Sequence, residues 1–102
     1  MSDLRQFPRI HTQLKAILTN SSNTESTATI NNISPGGVLL HGDLALKQHI
    51  CELEERDPMY HSIEVFLKCR FPEEPQPFLS RCRLIYVRRL SQHEFDFGLR
   101  FV

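Results

Sequence analysis

The chain has 102 residues, 40% of them hydrophobic and 24% charged, with twelve Lys+Arg balanced by twelve Asp+Glu. That length suits one domain with a modest core, and the composition is that of a folded chain; a formal charge of zero argues against a general nucleic-acid binder, which carries a basic excess. No apolar run is long enough to cross a bilayer and the first residues lack the apolar stretch of a secretory signal; Cys51, Cys69 and Cys82 are odd in number and widely spaced, so a cytoplasmic protein without a disulfide framework or a short metal-ligand spacing is expected.

Residues 11–20, HTQLKAILTN, place Leu14, Ala16 and Leu18 on one side and Lys15 and Thr19 on the other, the alternation of a half-buried strand. The polar NSSNTEST stretch is expected to be a mobile turn or loop, and TATINNI (27–33), rich in β-branched residues, a second strand. SPGG breaks it, because Pro fixes φ and Gly permits unusual dihedrals, and VLLH makes a short third strand. Residues 44–60 allow two readings: a short helix with Leu46, Ile50 and Leu53 on one face, or an irregular strand pair.

From there the pattern is clearer. SIEVFLKCRF (62–71) alternates Ile63, Val65, Leu67, Cys69 and Phe71 with Glu64, Lys68 and Arg70. The proline-rich PEEPQP interrupts, FLSRCRLIYVRR (78–89) gives a further strand, LSQHE turns, and EFDFGLRFV closes the chain. There Phe95, Phe97, Leu99 and Phe101 take one face, and Glu94, Asp96 and Arg100 the other. Six strand candidates in so short a chain predict an all-β fold, a small antiparallel barrel whose closure removes exposed edges. The expected division is an arm over residues 1–10 and a barrel over 11–102.

Two motifs carry chemistry. Arg5 and Arg9 flank Phe7 and Pro8. They are either ordinary solvated charges on an arm or a clamp, since a guanidinium presents a planar fork of donors to phosphate and a flat face to a nucleobase. Asn32, Ser34 and Gly37 in NNISPGG form either a plain hairpin turn or a polar site. In the second case Asn32 would meet a base edge or phosphate, Ser34 would support or donate, and Gly37 would admit close backbone approach.

Taken together and in this order, the two motifs resemble the PilZ domain family, which carries RxxxR near its start and (D/N)xSxxG some twenty-odd residues later. Here these are Arg5-Gln-Phe-Pro-Arg9 and Asn32-Ile-Ser34-Pro-Gly36-Gly37, and FGLRFV, with Gly98 and Phe101, is similar to the family's closing strand. The resemblance implies a six-stranded β-barrel of the split-barrel type that binds cyclic diguanylate (cyclic di-GMP), in some members as an intercalated dimer. Arg5 and Arg9 become the phosphate and base clamp, Asn32 and Ser34 the base-reading pair, and Gly37 the turn former. It also implies a non-enzymatic receptor, needing no cofactor, that relays the signal to a protein partner in motility, biofilm or exopolysaccharide control, the arm becoming ordered on binding. The alternative is a PilZ-like adaptor with weak or no nucleotide binding. Residues 42–62 make a longer, less regular connection than the family pattern leads one to expect.

Other features point to less. Phe7 is a candidate anchor for the arm, and Leu4 a candidate influence on ligand number. The five histidines form no metal motif, Ser34 has no nucleophile elbow around it, and Glu52, Glu54, Glu55 and Asp57 read as a solvated face, so no catalysis is expected. Arg81, Arg83, Arg88 and Arg89 read as charged flanks of a strand rather than a nucleic-acid patch, with Arg81 or Arg83 free to lean toward a ligand. No membrane insertion is expected.

Overall fold

A computed structural model of the protein describes residues 10–51 and 63–102. Its elements in chain order are β1 (Ile10–Thr19), β2 (Glu25–Ser34), β3 (Gly37–Asp43), α1 (Leu44–Ile50), β4 (Glu64–Cys69), β5 (Phe78–Arg89) and β6 (Glu94–Phe101). The strands close into a barrel in the order β1-β2-β3-β6-β5-β4, and β4 returns to pair with β1. Every neighbouring pair is antiparallel. The expected six-stranded antiparallel barrel is therefore the fold.

Alternation explains why these sequences close. Ala16 and Leu18, Ala28 and Ile30, Val38 and Leu40, Val65 and Leu67, Cys82 and Leu84, and Phe95, Phe97 and Leu99 all turn into one buried cluster. Phe97, Leu18, Ile30, Leu40 and Leu67 are almost fully buried, and each such side chain contributes about 1.5–3 kcal/mol by leaving water. At the cluster's margin Phe78 packs edge-on against both Phe71 and Phe101, with ring centroids 5.9 and 5.5 Å apart.

Of the two readings of residues 44–60, the helix is correct for the part described. The Asp43 carboxylate caps α1 by accepting from the Leu46 amide at 2.9 Å, and the Cys51 amide closes its far end on the Lys47 carbonyl. Leu46 and Ile50 turn into the core. Leu53 and the acidic residues 52–57 lie outside the described residues.

One local expectation needs correction, and two others gain detail. The β1–β2 connection is tied down rather than loose: the Asn20 side chain accepts from the Ser22 and Thr24 amides, both at 3.0 Å, and donates to the His49 carbonyl. Its backbone also bonds Thr24 and Asn23, and Asn23 takes the left-handed conformation at φ 64. SPGG breaks the strand as expected, with β2 ending at Ser34 and β3 starting at Gly37; Ser34 pairs directly with Gly37, and no glycine there uses a positive φ. Finally, Asp96 faces outward as expected but is buried, with a side chain 7% exposed, because Arg88 and His41 cover it.

Candidate functional site

The outer face of β2, β3, β6 and β5 is organised in three rows that the strand register fixes. Thr29, His41, Asp96 and Arg88 form the first row, Asn32, Leu39, Gly98 and Tyr86 the second, and Ser34, Gly37, Arg100 and Arg83 the third. Each residue is the direct cross-strand partner of the next, so each row shares one side of the sheet.

In the first row the chemistry is closed. The Asp96 carboxylate receives Arg88 Nη2 at 2.8 Å and faces His41 Nδ1 at 3.3 Å. Hydrogen bonding to Asp96, then its charge, raises the pKa of the Arg88 guanidinium above its ordinary value.

The second and third rows differ. Asn32, Ser34, Gly37, Leu39, Tyr86 and Arg100 line an open cleft of about 270 Å³. Two bulges bracket its second row, one on each side. One extra residue, Asn31, sits in β2 between the pairs Ile30↔Leu40 and Asn32↔Leu39. Another, Ile85, sits in β5 between Leu84↔Leu99 and Tyr86↔Gly98. A bulge re-aims the side chains beside it and is common next to binding sites. Here Ile85 and Tyr86, consecutive in sequence, are both 41% exposed.

Glycine is required twice in this cleft. A Cβ on Gly37 would stand 2.0 Å from the Leu99 carbonyl oxygen, and one on Gly98 would stand 2.3 Å from Tyr86 Cε2. Gly37 therefore lets β3 and β6 approach, and Gly98 lets the Tyr86 ring lie down across β6. Gly36 has open space around it, and its carbonyl accepts from the Phe101 amide at 2.9 Å. This hydrogen bond ties the turn to the closing strand.

The structure thus brings Asn32, Ser34 and Gly37 together in one cleft. Arg5, Arg9, Leu4 and Phe7 lie outside the described residues. What the structure does fix is where the chain joins the barrel: Ile10 pairs with Ile33, between Asn32 and Ser34. Sequence reasoning missed Tyr86, Leu39 and Arg100 as cleft residues. Strand pairing, which only the fold supplies, places them there; the sequence signal available was the aromatic residue in β5 together with Gly98 in β6.

Arg81, Arg83 and Arg89 have partners among the described residues. Glu64 takes Arg83 at 3.3 Å and Arg81 at 4.0 Å, and Arg89 donates to the Ser91 and Gln92 carbonyls. Arg81 and Arg83 do not line the cleft. Burial raises the pKa of all three cysteine thiols, that of Cys82 to about 11, which keeps them neutral and poorly nucleophilic. Among the described residues no group of three His, Cys, Asp or Glu is arranged to hold a metal, and no helix is long and apolar enough to cross a membrane.

The fold and site together are a six-stranded closed antiparallel barrel with a polar, glycine-shaped cleft on its outer wall. Residues 3–102 match the family model described as PilZ domain, and the chain belongs to that family. PilZ domains are non-catalytic receptor and adaptor modules, associated as a family with cyclic diguanylate signalling. The fold resembles the Bacillus subtilis inhibitor of motility MotI/DgrA, with a TM-score of 0.65 and 16% identity over 99% of this chain and 43% of that one. It also resembles the PilZ domain of CeSA from a cellulose-synthesizing bacterium, with a TM-score of 0.56 and 14% identity over 89% of this chain and 78% of that one. The chain thus spans less than half of the MotI/DgrA chain it matches. No curated protein sequence matches it.

Proposed function

We propose that this protein is a cytoplasmic, non-enzymatic receptor for cyclic diguanylate, and that the cleft beside the β2–β3 turn is its ligand site. The observation that carries the reading is the register of β1. The residue after Arg9 pairs beside Asn32 and Ser34, so a leading segment bearing Arg5 and Arg9 starts at the edge of the cleft. Asn32 and Ser34 read guanine, Gly37 keeps the turn tight, and Arg5 and Arg9 take phosphate and base. The arrangement suits a ligand with two phosphates and two flat bases, because it combines charge-assisted forks with a polar edge and needs no net positive charge.

The family association and the likeness to an inhibitor of motility support a role in motility, biofilm or exopolysaccharide control. Wrapping of the 1–10 segment around the ligand, over the barrel formed by 11–102, would change the surface a protein partner meets, which is the relay. Isothermal titration with cyclic diguanylate tests the site and gives the stoichiometry, including an intercalated dimer. Arg9→Ala and Asn32→Ala should each weaken binding by roughly 30-fold or more, the loss of about 2 kcal/mol from a desolvated charge-assisted contact. Wild-type affinity in both variants would contradict the assignment. No heat with the wild type would favour an adaptor that works through protein contacts.

A further inference from the structure

We infer that Tyr86 and Arg100 form a second half of the cleft, which stacks one base of a two-base cyclic nucleotide and holds one of its phosphates. The inference rests on the reading of the cleft as a cyclic diguanylate site and extends it to residues outside both sequence motifs.

Three observations carry it. The Tyr86 ring lies flat on the sheet: a Cβ on Gly98 would meet its Cε2, Cζ and Cδ2 atoms at 2.3, 2.6 and 2.7 Å. One face of the ring is therefore seated on β6, while the side chain stays 41% exposed beside the cleft. An aromatic ring held flat and open is a platform for a nucleobase, which stacks whatever its sequence identity.

Arg100 supplies the charge. It is exposed, lines the cleft, and stands directly opposite Arg83 across β5 and β6. Like charges so placed repel. Glu64 compensates Arg83, and among the described residues no carboxylate pairs with Arg100. An exposed cation that lines the cleft and has no carboxylate partner among the described residues is suited to an anion that comes from outside.

Placement completes the case. Asn32 on β2, Arg100 on β6 and the Tyr86 ring, which reaches from β5 onto Gly98 of β6, line the same cleft. The cleft therefore offers a base edge on its β2 side and a base face with a cation on the same strand on its β6 side.

The chain has two tyrosines and no tryptophan, so Tyr60→Phe leaves Tyr86 as the sole emitter. Titration of that variant with cyclic diguanylate, corrected for nucleotide absorbance, should quench its emission. Tyr86→Leu should weaken binding by about tenfold and Tyr86→Phe hardly at all. Arg100→Gln should weaken it by about tenfold and flatten its salt dependence, while the melting temperature holds, because Arg100 has no ion pair among the described residues to lose. A merely structural arginine would lower the melting temperature instead. If Tyr86→Leu fails to fold, the emission and Arg100→Gln decide. Wild-type affinity in Arg100→Gln with unquenched Tyr86 emission, alongside loss of binding in Asn32→Ala, overturns this inference and leaves the motif site standing. No binding by the wild type overturns both.

Discussion

The first and third rows on the outer wall of this barrel use the same four strands and opposite electrostatics. In the first, a buried Asp96 is met by Arg88 at 2.8 Å and by His41 at 3.3 Å. In the third, Arg100 faces Arg83, and among the described residues no acid pairs with it. The contrast separates charge that serves the fold from charge held ready for something else. A carboxylate taken out of water must be paired in place, because leaving it unpaired is costly. An exposed guanidinium carries no such requirement and can wait for a ligand.

Substitutions that break this contrast should rank in a definite order. Gly37→Ala should act most strongly, because its Cβ would fall 2.0 Å from a backbone oxygen that cannot swing aside. About 3 kcal/mol of destabilisation is expected, read as a fall in melting temperature of roughly 10 °C or more. Arg88→Ala should lower the melting temperature by less, since it strips the buried Asp96 of its shorter ion pair but leaves His41 in place. Equal, small effects of Arg88→Ala and Arg100→Gln on stability would erase the distinction between the rows.

The smallest effect concerns a thiol away from both rows. Burial lifts the Cys82 pKa from the ordinary 9.0 to about 11. Its folded pKa lies above its unfolded one, so the associated stability is complete below pH 9 and is lost as pH rises through about 11. Denaturant titrations across that window should show a steeper loss for the wild type than for Cys82→Ala. Parallel curves would mean that the thiol does not report its burial.

Much of this architecture was legible in the residue pattern. Period-two alternation in 62–71 and 94–101 placed Val65, Leu67, Phe97 and Leu99 inside, where they are. The motif residues Asn32, Ser34 and Gly37 could be singled out because Asn, Ser, Pro and Gly together mark a polar turn. The burial of Asp96 is not legible in the sequence because alternation tells which side a residue faces, not what covers it; Arg88 and His41 come from other strands. Asn20 was hidden for a similar reason, since its role depends on a carbonyl 29 positions away. Tyr86 and Arg100 join the cleft only through the pairing of β5 with β6 and β6 with β3, and the bulge at Ile85 that re-aims Tyr86 leaves no composition signal.

The most direct test of the account compares the two regions in one calorimetric series with cyclic diguanylate: wild type, Asn32→Ala from the cleft and His41→Ala from the settled row. The account predicts a saturable heat for the wild type, its near loss in Asn32→Ala and its retention in His41→Ala. Binding that survives Asn32→Ala but fails in His41→Ala would place the ligand on the wrong row and contradict it.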